Sequence, residues 1–222
     1  MVIGSSHVSR QSVKLIRNAI KNFDPDIVMI ELDEERLNSI RRKEKTNFFK
    51  WFKNSYKQLG ITTSIFLYLL KRFQDTIGKK LGIIPGKDML TAYYTAKRNK
   101  KKVLLIDQPF SITSIKLSRV IGIKGLLLMI IQSIFISNKP KSMGSLFNDP
   151  TEEEVEEAKR LLKKLNKGLY KVLLEERNRY MANKAYQYYE RNKGKALIVV
   201  GAAHARDVFE LIRKEIEKNK KE

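Results

Sequence analysis

Short apolar runs and longer amphipathic segments alternate along the chain. Continuous apolar runs occupy positions 27–30, 103–106 and 196–200, and a shorter one precedes Gly4. Runs of this length are typical of parallel strands that are buried on both faces. Apolar residues at helical spacing, from Val13 to Phe23, lie between the first two runs. This order predicts a strand–helix–strand unit with a right-handed crossover.

The middle of the chain has the pattern of helices. We expect one domain over residues 1–222, with a helical insertion over about 38–100 and a second helical stretch over about 112–192. The sequence Thr151-Glu152-Glu153-Glu154 is a capping box, which predicts the start of a helix there. We expect an interruption near Gly168 and a closing helix over residues 208–216. The predicted fold class is therefore α/β, a mostly parallel sheet flanked by helices.

Composition excludes several classes of protein. Hydrophobic residues make up 42% of the chain, which excludes intrinsic disorder. Cysteine is absent, so disulfides, thiolate metal sites and a cysteine nucleophile are excluded together. Lys and Arg number 45 against 24 Asp and Glu, a net charge of +21. This balance favours polyanionic surfaces as partners, or else a lysine-rich surface that serves solubility.

Three segments raise the question of a partner. Residues 41–57 interleave aromatics with Lys, and residues 61–70 and 121–137 are strongly apolar. For residues 41–57 the favoured interpretation is a helix whose aromatics enter the core while its lysines reach the solvent. The second interpretation is contact with an anionic membrane. Nucleic-acid binding is disfavoured because no binding motif is visible. The apolar segments predict a homodimer interface, a lipid contact or a hydrophobic cleft. No stretch reaches the ~20 apolar residues of a membrane span, so we expect a cytoplasmic protein, with membrane association as the alternative.

The residues that follow the four predicted strands carry the reactive chemistry. The pattern G-x-x-H occurs twice, from Gly4 to His7 and from Gly201 to His204, and these are the two histidines of the chain. Glu31 and Asp107 end the other two strands. Because ligands bind outside the carboxyl ends of parallel strands, we expect these side chains to converge at one edge of the sheet.

The chemistry that such a set can perform is limited. Two neutral imidazoles and a carboxylate suit a divalent metal such as Zn, Mn or Co. Without a metal, a histidine oriented by a carboxylate can act as a general base. The glycine three residues before each histidine lets the backbone approach a ligand closely. A purely structural interpretation, in which each histidine caps a helix or bonds the backbone, stays open.

Six ordered segments resemble the TraB family, which includes the pheromone-shutdown proteins TraB and PrgY, the GumN proteins and the Tiki metalloproteases. They are residues 4–9 (GSSHVS), 25–36 (PDIVMIELDEER), 85–89 (PGKDM), 103–107 (VLLID), 176–181 (ERNRYM) and 201–204 (GAAH). Asp88 stands where the family usually has Glu, and Gln108 where an Arg often follows.

The resemblance implies a fold like that of the erythromycin-esterase and ChaN-like group, and a metal-dependent hydrolase, in particular a peptidase acting on peptides. His7, His204 and Glu31 would bind the metal, with Glu31 as third ligand or general base. Arg177 would hold the substrate or the developing anion, and Asn178 and Asp107 would contact the substrate. The alternative is a non-catalytic module that sequesters a peptide, as in pheromone shutdown, in one version at a membrane surface.

Overall fold

The computed structural model describes residues 1–5, 10–42, 64–65, 68, 86–136 and 151–219. Within them, four strands form one sheet in the order β1-β4-β2-β3, and every neighbouring pair is parallel. The strands are β1 Val2–Ser5, β2 Ile27–Ile30, β3 Lys102–Leu105 and β4 Ala196–Gly201. Helices cover both faces of the sheet, so the predicted α/β class is confirmed.

Eight α-helices are described in the same part of the chain. They are α1 Arg10–Phe23, α2 Glu34–Arg42, α3 Lys87–Arg98, α4 Phe110–Ile136, α5 Glu152–Leu165, α6 Lys167–Tyr170, α7 Glu176–Asn192 and α8 Ala202–Asn219. A π-helical segment, Lys171–Glu175, joins α6 to α7. In the described residues, none of these helices has the length and hydropathy needed to cross a membrane. The insertion predicted for residues 38–100 lies largely outside the described residues, as do segment 41–57 beyond α2 and most of segment 61–70.

The core has two layers because the strand residues alternate between the faces of the sheet. On one face, α1 and α3 contribute Ile16, Ile20, Met89, Ala92 and Ala96, which pack against Val28, Ile30, Leu197 and Val199. On the other face, α7 and α8 contribute Met181, Ala182, Ala185 and Val208, which pack against Met29, Ile198 and Val200. Both faces of β2 and β4 are therefore buried, as their continuous apolar runs predicted. The same prediction is wrong for β3, an edge strand of the described sheet in which Val103 and Leu104 are only half-buried.

Several helix boundaries follow from local sequence. The side chain of Thr151 accepts the N–H of Glu154 at 3.2 Å, and Glu154 accepts the N–H of Thr151 at 2.8 Å, which confirms the predicted capping box. The interruption expected near Gly168 is confirmed and lies two residues before it, at Asn166. That residue is extended, with φ −156° and ψ 104°, and its side chain accepts the N–H of Leu169 and so starts α6.

The closing helix begins earlier than predicted. It starts at Ala202, directly after β4, rather than near residue 208. His204 therefore lies in the first turn of α8 and not in a loop before it, which fixes its backbone against the end of the sheet.

Candidate active site

The structure brings five of the predicted site residues together at the carboxyl edge of the sheet. Glu31 follows β2, Asp107 follows β3, and His204 lies in the first turn of α8. Arg177 and Asn178 lie in the first turn of α7. Hydrogen bonds connect all five, as described below. The sixth, His7, lies outside the described residues.

Arg177 is the centre of this group. Its Nε donates to Asp107 Oδ1 at 3.0 Å, and its Nη2 donates to Asp107 Oδ2 at 2.8 Å and to Glu31 Oε1 at 2.6 Å. Its Nη1 donates to the carbonyl of Leu173 at 3.3 Å and lies 3.2 Å from His204 Nε2. A guanidinium has five N–H donors, so every donor of Arg177 has a partner within the protein.

The electrostatics of the cluster follow from burial and charge. The side chains of Glu31, Asp107 and Arg177 are 4%, 3% and 14% exposed. Burial alone lowers the pKa of Arg177, but the adjacent carboxylates of Glu31 and Asp107 outweigh it, and the net effect raises the pKa of the guanidinium. Arg177 thus stays charged. Arg36, farther out, reaches Asp107 at 3.5 Å.

Glu31 is held from the backbone as well. The N–H of Gly201 donates to Glu31 Oε2 at 2.5 Å, while Oε1 receives Arg177. The carboxylate therefore bridges the end of β4 to α7. The glycine of the second G-x-x-H pattern, the last residue of β4, thus contributes a backbone donor to the site.

The hydrogen bonds of His204 determine its tautomer. A carboxylate can only accept, so the amide atom of Asn178 that lies 2.9 Å from Asp207 Oδ2 is the donor Nδ2. This contact fixes the orientation of the amide. Asn178 Oδ1 then faces His204 Nδ1 at 2.5 Å and must accept its proton. His204 Nδ1 therefore carries a proton, and in the neutral ring Nε2 is the nitrogen with the lone pair. Nε2 lies 3.2 Å from Arg177 Nη1 and 3.5 Å from Glu31 Oε1.

Two residues that sequence reasoning missed extend this network. Lys159 on α5 donates to Asp207 Oδ2 at 2.9 Å and to Glu156 at 2.8 Å, and its side chain is 7% exposed. Asp207 lies three residues after His204, one turn along α8, and that spacing was a usable signal. Lys159 lies in a surface-type amphipathic helix, and no feature of the sequence distinguishes it from its neighbours.

The π-helical segment sets the direction in which Arg177 and Asn178 of α7 face. It lies directly before Glu176, and its extra residue per turn changes the rotation of the helix between the contacts with α4 and the site. Val172 and Leu169 pack with Leu117 of α4, whereas Arg177 and Asn178 face the sheet edge. Single π-helical turns inside α-helices occur frequently at functional sites.

Two further motif residues hold the strands against the helices around the site. The hydroxyl of Ser5, at the end of β1, donates to the carboxylate of buried Asp88 in the first turn of α3. A Cβ on Gly4 would lie 3.1 Å from Ala205 Cβ and 3.2 Å from Ala202 Cα. Gly4 therefore lets β1 approach the turn of α8 that carries His204.

Comparison with known proteins agrees with the family resemblance of the motifs. The family model of the TraB/PrgY/gumN family matches residues 1–219, so the chain belongs to this family. An uncharacterised protein of Methanocaldococcus jannaschii is 28% identical over 217 residues, covering 96% of this chain and 53% of its own length. A TraB domain-containing protein of Bos taurus is 26% identical over 120 residues, 50% of this chain and 32% of its own, and one of Homo sapiens is 25% identical over 120 residues with the same coverage. The chain thus spans about half the length of the first relative and a third of the others.

Proposed function

We propose that this chain acts as a metal-dependent hydrolase on peptides, with its catalytic centre at the carboxyl edge of the sheet. The observation that carries the proposal is the buried Nε2 of His204, which lies 3.5 Å from Glu31 Oε1. Nδ1 donates its proton to Asn178, so in the neutral imidazole Nε2 is the nitrogen with the lone pair. An imidazole whose tautomer is fixed in this way can act as a metal ligand or as a general base.

The donor set fits a divalent ion. A neutral imidazole nitrogen and a carboxylate oxygen are ligands that Zn, Mn and Co accept, and an imidazole ligand usually bonds a polar group through its other nitrogen. Within the described residues no group of three His, Asp or Glu side chains forms a metal site. Glu31 and His204 would hold the ion together with His7, which lies outside those residues. A metal in such a site supplies Lewis acidity and lowers the pKa of water toward neutrality.

The chain's own residues would divide the remaining work. Arg177 now bonds both His204 Nε2 and Glu31 Oε1, and an ion bound by those atoms would replace these two contacts. Its paired bonds to Asp107 would still anchor the guanidinium, leaving N–H donors for a substrate carboxylate or a developing anion. Glu31 would serve as third ligand or as general base, oriented by the N–H of Gly201.

A second candidate function is a non-catalytic module that sequesters a peptide or another ligand. The observation that favours it over catalysis is the completeness of the Arg177 contacts, because with all five donors bonded to protein acceptors none is left for a developing anion. A closed ion cluster of this kind can serve to join α7 to the sheet without any chemistry.

Metal uptake and turnover test the two functions. Chelator-treated protein is titrated calorimetrically with Mn²⁺, Co²⁺ and Zn²⁺, and a peptide mixture is then followed by mass spectrometry with and without metal. We expect metal uptake and metal-dependent cleavage, both lost in His204→Gln and both kept in Asn183→Ala, an exposed change on α7. Absence of uptake and of cleavage in the unchanged chain would contradict the hydrolase, and peptide binding without cleavage would favour the sequestering module.

A further inference from the structure

A cleft follows the outer edge of β3 and opens at the site just described. Its volume is about 400 Å³, and Asp107 lines one end of it. The walls come from α3, through Tyr93 and Lys97, and from α7, through Tyr180 and Lys184. Because α3 and α7 pack on opposite faces of the sheet, the floor between them is the edge strand itself.

The backbone of β3 has hydrogen-bond donors and acceptors on the side that faces away from β2. The N–H groups of Lys102 and Ile106 bond the carbonyls of Asp26 and Ile30, on the β2 side, at 3.3 and 2.9 Å. Since backbone groups alternate along a strand, those of Val103, like those of Leu105, point away from β2. In the part of the chain that the structure describes, no strand pairs with this side of β3.

The two walls present the same pair of side chains. On α3, Lys97 Nζ lies 5.9 Å from the centre of the Tyr93 ring, and on α7, Lys184 Nζ lies 5.8 Å from that of Tyr180. Both pairs are spaced i, i+4, so each tyrosine and its lysine share one face of the helix. The edge strand thus lies between two aromatic rings and two ammonium groups.

The charges along the cleft are polarised. Lys184 follows Arg177 by two helical turns, about 10 Å along the axis, and Lys97 lies near the end of α3 that leads into β3. The ammonium groups therefore lie toward the start of β3. Carboxylates, including Glu34 and Asp107, line the cleft toward the carboxyl edge of the sheet.

We propose that an extended peptide binds along the outer edge of β3 as an added strand, with a carboxylate of the peptide held by Lys97 and Lys184. Main-chain bonds to an exposed sheet edge supply affinity in this mode, and alternate side chains supply specificity. The tyrosine rings contact those side chains, and the peptide backbone leads to the Glu31–Arg177–His204 cluster. The inference rests on the proposed function in taking that cluster as the place where the peptide is cut.

The first measurement is binding without turnover. Fluorescence polarisation with His204→Gln protein follows three fluorescein-labelled peptides that share a Val/Thr core: one ending in Glu-Glu-amide, one in Gln-Gln-amide and one in Gln-Gln with a free carboxyl terminus. The Gln-Gln-amide peptide has neither the Glu side chains nor a free carboxyl terminus. We expect it to bind about tenfold more weakly than the tighter-binding of the other two peptides. The better one identifies whether a side chain or the terminus supplies the carboxylate. Equal binding of all three, or no binding of any, overturns the proposal.

The strand mode is tested on the peptide, which leaves the protein fold untouched. Two versions of the best peptide carry backbone N-methyl groups, one at odd and one at even positions. Only one set of N–H groups can face β3, so we expect one version to lose binding and the other to retain it within about twofold. Equal loss or equal retention overturns strand addition.

The lysines are tested by charge removal with a matched control. Lys97→Gln combined with Lys184→Gln should weaken the carboxylate peptide about tenfold and leave the Gln-Gln-amide unchanged. Lys214→Gln combined with Lys218→Gln removes the same charge from exposed positions on α8 and should change neither. Equal weakening by the two double variants would overturn the assignment of these lysines.

The proposed function and this inference fail separately. Peptide binding with the expected N-methyl pattern, but without cleavage by the metal-loaded unchanged chain, would contradict the hydrolase and support the binding mode. Cleavage that is indifferent to the N-methyl pattern and to the lysine pair would support the hydrolase and overturn the binding mode.

Discussion

A single guanidinium connects three elements at the residue scale. Arg177 bonds Asp107 through a paired contact and Glu31 through a third bond, so it joins α7 to the ends of β2 and β3. Buried ion pairs add little net stability when they are complete, but removing one partner leaves uncompensated charge in the interior. Arg177 therefore has a large effect on stability that is separate from any role in chemistry.

Replacing Arg177 with Met tests this effect. We expect the free energy of unfolding to fall by about 3–5 kcal/mol, because Glu31 and Asp107 lose their common partner. Urea denaturation measures the change. Arg179→Met is the matched control, since Arg179 is exposed on the same helix and should change stability by less than about 0.5 kcal/mol. Similar losses in the two variants would contradict the ion cluster.

The tautomer of His204 gives a second residue-scale prediction. Asn178→Ala removes the acceptor of the Nδ1 proton, so we expect the Nδ1–H form to lose its dominance. Nitrogen chemical shifts of the imidazole report the tautomer directly, and the chain has two histidines, which His204→Gln distinguishes. Asn183→Ala, exposed on the same helix, should leave the spectrum unchanged. A His204 spectrum that does not respond to Asn178→Ala would sink the proposed orientation.

Asp33 predicts a pH dependence of stability. Its Oδ1 accepts the N–H of Arg36 at 3.1 Å and caps α2, while Oδ2 has no partner among the described residues. Burial raises the pKa of Asp33 above its ordinary 3.8, against the opposing bond and charge of Arg36. Its contribution to stability is therefore full below the unfolded pKa and lost as pH rises through the folded pKa. Asp33→Asn keeps the cap and should gain stability relative to the unchanged chain as pH rises from about 4 to 7.

A control of opposite sign is available at Asp24. The bond from Lys101 lowers the pKa of this exposed carboxylate, so its contribution is present above the unfolded pKa and lost as pH falls through the folded pKa. The window for Asp24 lies lower, so Asp24→Asn should lose stability relative to the unchanged chain as pH rises from about 2 to 5. Melting curves from about pH 2 to 7 measure both variants, and parallel curves for Asp33→Asn and the unchanged chain would count against the burial argument.

At the scale of elements, the site depends on how closely β1 approaches α8. Gly4→Ala would put a methyl group 3.1 Å from Ala205 Cβ and 3.2 Å from Ala202 Cα. We expect a loss of about 1–3 kcal/mol, the cost of overpacking at a backbone contact. Chemical denaturation measures it.

A double-mutant cycle separates this contact from the general cost of alanine in β1. Ala205→Gly removes one of the two clashing groups, although it costs about 1 kcal/mol in a helix. The pair Gly4→Ala with Ala205→Gly should therefore show a favourable coupling of at least about 0.5 kcal/mol. Additive effects would show that β1 and α8 do not contact each other as described.

At the scale of the whole molecule, the net charge of +21 and the apolar helix α4 predict an interaction surface. α4 is interrupted at Gly122, with φ 65°, and its apolar residues continue to Ile136. We expect a second copy of the chain or an anionic lipid surface to cover this segment. Sedimentation and co-pelleting with phosphatidylserine vesicles measure the two cases. A monomer that is not taken up by the vesicles at low salt would leave the prediction without support.

The sequence by itself determined the parallel sheet, the capping box of α5 and which residues end the strands. These features depend on local pattern: a run of apolar residues buries both faces of a strand, and parallel strands place their carboxyl ends at one edge. The positions of Glu31, Asp107 and His204 at that edge followed from this rule. The resemblance of residues 176–181 (ERNRYM) to a TraB-family motif added Arg177 and Asn178.

Only the tertiary structure decided how these groups bond one another. The tautomer of His204 depends on Asp207 and Lys159, and the second of these comes from a helix whose sequence carries no sign of the site. The start of α8 at Ala202 and the cleft beside β3 depend on the docking of α7 and α3 on opposite faces of the sheet. Contacts between residues far apart in the chain are set by packing, and no local pattern contains the distances between them.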